Sequence, residues 1–414
     1  MVTVFGLGFV GLTTALGFAH MGYKVYGIDV DIERINTIAS GTIPFHEPYM
    51  QEQLQKHIGK NFIVGADIDK AISDSEYIYY CVGTPYGKDG TADLKYLFSA
   101  IDTTLNVIHD DKKRILVTKS TIPPSTTKEK IIPYIKKKCK EMNNISIANN
   151  PEFLREGHCW EDFINSDRIV CGCNDEYTAI KMRKLYEPMN VPIFTVSLST
   201  GEFIKYLSNT LLATLISYAN EMAQAADVFG DIDIANAFKI LHMDSRWNDC
   251  NMTSYVYPGC GYGGYCLPKD TCAFYAQAKE KGFVPEILGK VIMTNEKRTD
   301  VIVKKIISGL KDGNKIGILG LSFKPNSDDV RDTPAARIIH ALLNTGNYDV
   351  IAFDPLAMKN FQKWYPDLVV DFAKDAESVC KVADEIVIAT AWNEFKDLDF
   401  GNKNVVDCRY MLER

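Results

Sequence analysis

Much of what would decide the class of this chain is missing from it. No apolar run reaches 18 residues, so no membrane-spanning helix is expected. Lysine and arginine total 46 against 53 acidic residues, a net charge of -7 with no basic stripe, which argues against nucleic acid or an anionic membrane as partner. The eleven cysteines are scattered and odd in number, so a disulfide framework is not expected in a chain of 414 residues. Cys171 and Cys173 stand close together without a second cluster or a nearby histidine, so no metal site is expected either. The opening residues MVTVFGLGFVG carry no basic n-region or cleavage site and read as a strand and turn rather than a signal peptide. Together these absences point to a reducing, cytoplasmic setting.

What is present is ordinary globular composition, 46% hydrophobic and 24% charged, in a length that suits two or three domains. Val2 to Phe5 is a β-branched and aromatic run. Gly6-Leu-Gly8-Phe9-Val10-Gly11 follows at once, a helix is expected from Leu12 to Met21, and a second strand runs from Lys24 to Asp29. The acid falls 18 residues after Gly11. A G-x-G-x-x-G turn in this βαβ setting is a dinucleotide fingerprint: the glycines let a pyrophosphate reach the helix N-terminus, and Asp29 would bond a ribose 2′-hydroxyl. Its charge would repel a 2′-phosphate, which favours NAD over NADP, although Arg34 stands close enough in sequence to accept one.

The alternation continues. Strands are expected at Tyr77 to Val82, Arg114 to Thr118 and Ile145 to Ala148. Each is followed by polar residues: Gly83-Thr84-Pro85, then Lys119-Ser120-Thr121, then the segment from Asn149 through Glu152, Phe153, Leu154, Arg155 and Glu156 to Gly157. In a doubly wound sheet the carboxyl ends of the strands form the ligand crevice. Glu152 and Glu156, spaced i, i+4, would share one face if a helix begins near Pro151. Paired carboxylates suit general-base work or holding a water; a first-turn acid stabilised by the helix dipole is the plainer alternative.

Ser199 and Glu202 form an S-x-x-E capping box, and from Glu202 to Phe229 the chain runs without proline or glycine. Phe203, Leu207, Leu211, Leu215 and Met222 follow helical spacing on a segment suited to linking domains or forming a dimer interface. Lys205 and Asn209 lie i, i+4 on it: either a solvated lysine, or a cation and an amide facing a substrate oxygen.

Gly259 to Asp270 reads GCGYGGYCLPKD. Cys266 stands beside Lys269, a cation that would favour the reactive thiolate, and Asp270 could orient a water or base. A helix from Thr271 to Lys281 and one or two more between Val284 and Leu310 are expected. A second α/β region opens at Lys315, with further strands at Asp349 to Phe353, Glu385 to Thr390 and Asn404 to Val406. Its glycines fall as GxxG, so a complete dinucleotide fingerprint is lacking. Lys324 and Arg331, after a strand, are candidates for a phosphate contact. The fold expected is α/β, two doubly wound Rossmann-like domains joined by a helical central domain with one long helix, bounded as 1–198, 199–312 and 313–414.

In their order, GxGxxG, KSTIPPST, NPEFLREG, the Lys205/Asn209 helix, GYGGYCLPKD and LSFKPNSDDVRDTP resemble the UDP-glucose/GDP-mannose dehydrogenase family over essentially the whole chain. That resemblance implies NAD-dependent four-electron oxidation of a nucleotide sugar at C6, with UDP-glucose as substrate and UDP-glucuronate for polysaccharide synthesis as product. Cys266 matches the nucleophile that forms a thiohemiacetal and then a thioester. Lys205 and Asn209 match the oxyanion stabilisers. Glu156, Thr121 and Asp270 match groups handling water and protons, and Glu152 a neighbouring carboxylate. Besides the glycine turn, Val10, Asp29, Arg34, Thr84, Thr121, Glu156, Lys269 and Arg331 match NAD contacts. Phe153, Leu154, Arg155, Tyr255, Val256, Tyr257, Pro258, Gly259, Gly263 and Lys324 match substrate contacts, and Arg246 an arginine reaching across a homodimer. The third domain would bind the UDP portion. Cys260 stands where the family often has phenylalanine. GDP-mannose or a UDP-N-acetylhexosamine stays open as substrate. A catalytically silent nucleotide sensor is the reading from another class; loss of Cys266, Lys205 or the glutamates would mark it, and all are present.

Overall fold

The computed structural model describes every residue except 88–89, 140–143, 248–254, 309, 312 and 413–414, and also leaves out the Arg246 side chain. The assignment of Arg246 to substrate therefore lies outside the described residues. The chain divides into two compact units, Met1–Ser208 and Asn209–Arg414.

The first unit is built on eight strands: β1 (Val2–Phe5), β2 (Val25–Ile28), β3 (Phe62–Val64), β4 (Tyr77–Tyr80), β5 (Arg114–Thr118), β6 (Ile145–Asn149), β7 (Ile169–Cys173) and β8 (Ile193–Val196). Their order is β3-β2-β1-β4-β5-β6-β7-β8, parallel throughout except for the antiparallel β6–β7 pair. Alternate residues feed opposite faces. Tyr77 and Tyr79 join one core cluster and Ile78 and Tyr80 the other. A sheet covered on both faces has no polar face, which is why its strands read as unbroken apolar runs. Strand order reverses between β1 and β4, and the turns after these two strands, Gly6 to Gly11 and Gly83 to Pro85, flank that switch point. Cys171 and Cys173 lie on β7 in the sheet. Burial pushes their thiols up, to about 12 and about 11 respectively, as for core thiols.

The second unit carries β9 (Lys315–Leu319), β10 (Asp349–Phe353), β11 (Asp371–Phe372), β12 (Glu385–Ile388) and β13 (Asn404–Asp407). They are ordered β11-β10-β9-β12-β13 and all parallel. The expected strands are thus found within one or two residues at their ends; β3, β7, β8 and β11 were not anticipated.

The helix Leu198–Phe229 has 32 residues, about 48 Å, and the division between the units falls inside it. One feature of it corrects the sequence reading and a second refines it. Ser199 lies within the helix, and Glu202 does not reach back to cap it: its Oε1 accepts the Thr127 N–H at 2.8 Å. The apolar row faces outward in the first half of the helix. Phe203, Leu207 and Leu211 are exposed, whereas Leu215 and Met222 are half-buried against a core cluster, and the buried positions include Glu202, Lys205, Tyr206, Asn209, Ala213, Asn220 and Ala223. The inner face is mostly small and polar, and the hydrophobic repeat meets a core cluster only in the second half of the helix.

In the second unit Asp354, just after β10, is fully buried and accepts from six donors: the N–H groups of Leu321, Ser322, Leu356 and Ala357, the Ser322 hydroxyl and the Trp392 indole. Replacing Asp354 by Ala strands these donors without water and is expected to lower unfolding stability by on the order of 3 kcal/mol or more, measured by urea denaturation. A loss below about 1 kcal/mol would show that the carboxylate does not organise this end of the sheet.

Candidate functional site

The dinucleotide turn is shaped by contacts on two sides and openness on a third. A Cβ on Gly11 would fall 1.7 Å from the Gly6 carbonyl oxygen, so only glycine lets the helix Phe9–His20 start against the turn. A Cβ on Gly8 would meet nothing within 4 Å, so that side is open to an incoming pyrophosphate. Phe9 and Val10 open the helix, and Phe9 stacks on Phe45 with ring centroids 4.1 Å apart. Asp29 follows β2; its Oδ2 accepts the Leu7 N–H at 2.6 Å and its Oδ1 the Asp31 N–H at 2.9 Å, which ties the acid to the turn. Arg34 reaches both Asp29 oxygens at 3.0 Å and Asp31 at 3.4 Å. Its charge is set against two carboxylates, which fits a ribose hydroxyl at Asp29 better than a phosphate at Arg34. These residues fit NAD.

At the ends of β4 to β6 the polar segments come together as the sequence pattern suggests. Thr84 donates its hydroxyl to the Thr121 carbonyl at 2.8 Å. Glu152 Oε1 and Lys205 Nζ form a buried ion pair at 2.9 Å, with the Phe153 ring 5.6 Å from the ammonium. Burial alone would raise the Glu152 carboxyl; the charge of Lys205 and the Leu154 N–H outweigh it and hold it below the usual range. Lys205 is 5% exposed, so the solvated reading of that lysine does not apply. The shared helical face for Glu152 and Glu156 is not found. Residues 151–156 are a loop, because side chains take the N–H groups a helix would need: Glu152 Oε2 accepts from Leu154 at 2.7 Å, and Glu47 accepts from Gly157 at 2.8 Å and Cys159 at 2.6 Å. Arg155 forms a two-pronged contact with Asp162, at 2.7 and 3.0 Å.

In the second unit the helix holding the thiol runs Cys266–Glu280, five residues earlier than expected, so Cys266 is its first residue. Helix N–H groups and the Lys269 ammonium both set positive potential beside the sulfur. Burial would lower the Lys269 ammonium, but Asp270 and Cys266 outweigh it and raise it. Lys269 and Asp270 are in contact and buried, and Asn209 donates to Asp270 Oδ2 at 2.6 Å. The Arg331 guanidinium lies over the Tyr265 ring at 4.5 Å and is braced by Asp329 at 2.6 Å. Lys324 sits 5.4 Å from the Phe323 ring.

The preceding loop is pinned at its backbone. Gly259 donates to Asn220 Oδ1 at 2.7 Å and accepts from Arg298 Nε at 2.8 Å. Asn295 bonds both the N–H and the carbonyl of Tyr262, at 2.8 and 3.0 Å, and Arg337 donates to that carbonyl at 2.9 Å. Gly261, at φ +91, turns the chain where a Cβ would meet Asn295 Oδ1 at 2.5 Å. Tyr257 donates to the Tyr410 carbonyl at 3.1 Å; Val256, Pro258 and Cys260 are buried, and Tyr255 is half-buried. A Cβ on Gly263 would fall 2.6 Å from the Asp332 carbonyl oxygen.

Sequence reasoning missed these braces. Asn220 had a signal, since it continues the polar line of Lys205 and Asn209 along the long helix. Glu47, Asn295 and Arg298 had none, because their partners are distant in sequence. Lys119 belongs to the polar segment after β5. It is buried, donates to Asn150 at 2.9 Å, and has its ammonium lowered by burial. Replacing Glu152 by Gln removes the carboxylate from the Lys205 pair, with an expected cost on the order of 3 kcal/mol at neutral pH. Because the Glu152 carboxyl is held below 4.5, the stability it contributes is present above pH 4.5 and lost as pH falls below that. Melting curves of the two proteins should therefore converge toward acid; a constant gap would remove this pair from the account.

Three comparisons bear on identity. Models of the UDP-glucose/GDP-mannose dehydrogenase family match the chain three times: the NAD binding domain at residues 1–190, the central domain at 199–297 and the UDP binding domain at 317–414. A UDP-glucose 6-dehydrogenase of Haloferax volcanii is 33% identical over 100% of this chain and 97% of its own length. Among solved structures, a UDP-glucose dehydrogenase of Pyrobaculum islandicum superposes with a TM-score of 0.93 at 33% identity, over 99% of this chain and 94% of that one. A UDP-D-ManNAc dehydrogenase of Pyrococcus horikoshii gives 0.86 at 28% identity, over 100% and 96%. Among the described residues no helix is long and apolar enough to cross a membrane. With the glycine turn and Asp29 fitted to NAD and all three family models matched in order, the chain belongs to the UDP-glucose/GDP-mannose dehydrogenase family and is an NAD-dependent oxidoreductase.

Proposed function

We propose that this enzyme oxidises the C6 alcohol of UDP-glucose to the carboxylate of UDP-glucuronate, with two NAD reduced per sugar and one water consumed. The observation that carries the reading is Cys266, the first residue of its helix, with Lys269 beside it. NAD, when bound, supplies the hydride acceptor; Gly6, Gly8, Gly11 and Asp29 would hold it. Once C6 is an aldehyde, the Cys266 thiolate adds to the carbonyl carbon to give a thiohemiacetal, which keeps the aldehyde from escaping. Loss of the second hydride leaves a thioester. Water adds to it, the C–S bond breaks, and the thiolate is restored. Lys205 stabilises the oxyanion of each addition, with Asn209 donating a second hydrogen bond. Glu156, Thr121 and Asp270 orient the water and carry protons. The Glu152 carboxylate keeps the Lys205 ammonium charged, which that role demands.

Substrate contacts are assigned to the 152–156 loop, the 255–263 loop and Lys324, and the UDP portion to the C-terminal sheet. A homodimer is proposed on the long helix. The exposed row Phe203, Leu207 and Leu211, at 41%, 54% and 48% exposure, supports it, since an i, i+4, i+8 apolar row in water calls for cover. A cytoplasmic enzyme supplying precursors for a polysaccharide is the setting this reading implies. A UDP-N-acetylhexosamine is the second substrate reading, favoured by the likeness to the Pyrococcus horikoshii enzyme.

With NAD in excess and limiting sugar, UDP-glucose is expected to yield two NADH each, while GDP-mannose and UDP-N-acetylmannosamine yield none. One NADH per UDP-glucose would mean that the aldehyde is released and the thiol misassigned; turnover of UDP-N-acetylmannosamine alone would transfer the reading to that sugar. Cys266→Ala is expected to lower steady-state turnover by on the order of 10³-fold or more with NAD affinity unchanged. Two NADH at the wild-type rate from this variant would exclude the thioester.

A further inference from the structure

Glu202 lies one helical turn before Lys205 and is 4% exposed. One carboxylate oxygen has a clear structural use, since Oε1 accepts the Thr127 N–H at 2.8 Å. The other does not: Oε2 is buried and makes no hydrogen bond of good geometry among the described residues, with the Thr127 hydroxyl and the Ser125 and Thr126 backbone acting on the carboxylate from nearby. Glu202 lines a small cavity, about 10 Å³, shared with Asn149, Ser120, Thr121, Pro151 and Lys205. Asn149 brings a second such acceptor. Its Nδ2 donates to the Leu198 carbonyl at 2.8 Å, which fixes the amide, and its buried Oδ1, lodged beside Gly172 and Gly201, has no hydrogen-bond partner among the described residues. Two residues with stranded acceptors and one with an ammonium, lining a space near the minimum for one water, have a simple chemical complement. A water has two hydrogens for the two acceptors and a lone pair for the cation.

We propose that this cavity is a single-water site linking Glu202 to Lys205, and that Glu202 is thereby a positioning residue for the Lys205 ammonium. The water donates to Glu202 Oε2 and Asn149 Oδ1 and accepts from Lys205 Nζ, while Glu152 holds the same ammonium at 2.9 Å. Lys205 is the other charged group lining the cavity. Lys119 acts on it from further off and is held by Asn150; Lys128 and Glu129, just past the Thr127 turn, are exposed. Burial pushes the Glu202 carboxyl up to about 7 against the pull of Thr127 and the Ser125 and Thr126 backbone, so the link gains or loses a charge near neutrality. The consequence for turnover rests on the role proposed above for Lys205; the water site does not.

The test uses the full chain and Glu202→Gln, which keeps shape and hydrogen-bonding capacity but cannot ionise. A carboxyl raised from 4.5 to about 7 leaves the wild-type fold best supported below pH 4.5 and progressively less so up to pH 7. The melting temperature of the variant should therefore gain on wild type by several degrees between those pH values and hold a constant lead above. In NADH formation from UDP-glucose, the wild-type kcat–pH profile should show an inflection near 7 that the variant lacks, with kcat in the variant reduced about tenfold above it. Parallel melting curves and a surviving inflection would reduce Glu202 to a structural bond and overturn the proposal. A high-resolution crystal structure should show a water within hydrogen-bond distance of Glu202 Oε2 and Asn149 Oδ1; side-chain atoms filling the space would overturn it even if the variant does not fold. Wild type inert toward every nucleotide sugar would defeat the functional reading alone, since the melting curves still decide the site.

Discussion

A lysine whose ammonium is taken out of water needs a partner, and in the first unit much of the local architecture answers that need for Lys205. Desolvating an ammonium costs several kcal/mol unless a well-placed anion and further hydrogen bonds offset it. Glu152 supplies the anion at 2.9 Å, and it can do so because the chain after β6 does not become a helix. Its other oxygen binds the Leu154 N–H, and Glu47 takes two more N–H groups further on. One acid from a remote segment thus holds the loop open so that another acid can meet the lysine. A helical 151–156 would have satisfied its own backbone and left the ammonium's position to chance.

The two doubly wound sheets show how one topology is put to different uses by a single carboxylate. Asp29 and Asp354 both follow the second strand of their sheet in chain order, and both accept N–H groups from the turn after the first strand. Asp29 receives two backbone donors and the Arg34 guanidinium, beside a turn whose Gly8 is open to approach. Asp354 receives six donors and is fully buried. Its capacity is spent on folding the strand ends together, which agrees with the lack of a G-x-G-x-x-G turn after β9. The acid is available for a ligand only where the protein has not already used it.

That difference also separates what could be read from the sequence from what could not. Strands of a doubly covered parallel sheet announce themselves as apolar runs, so β1, β4, β5, β9 and β10 were legible to within a residue or two, as were the polar groups that follow them. β7 and β8 were not, since their register depends on a reversal of direction that no local pattern encodes. The long helix was legible by its period, but its inner face was not: Leu207 and Leu211 face outward, and the packed side is mostly alanine and polar residues such as Lys205, Asn209 and Asn220. Glu202 shows the same limit. The spacing Ser199 to Glu202 matches a capping box, and only the arrival of Thr127, 75 residues away in sequence, redirects the carboxylate.

The thiol segment of the second unit follows from competition for charge. Lys269 is buried, with Asp270 against it and Cys266 acting on it electrostatically. If Asp270 neutralised Lys269 completely, the lysine would do nothing for the sulfur. But Asp270 is itself shared, since Asn209 donates to its other oxygen at 2.6 Å. A carboxylate drawn toward two donors neutralises each less fully than an isolated partner would, and the remainder of the lysine's field falls on Cys266 at the helix start. The loop before it has no such slack. Asn220, Asn295, Arg298 and Arg337 fix its backbone at Gly259 and Tyr262, so the position of the sulfur is set by bonds made up to 75 residues away, from Tyr262 to Arg337. Reactivity is left to a small electrostatic balance, and placement to a rigid frame of amide and guanidinium hydrogen bonds. The nucleophilic role proposed for Cys266 needs that division, since a thiol that captures an aldehyde has to be both reactive and fixed in place.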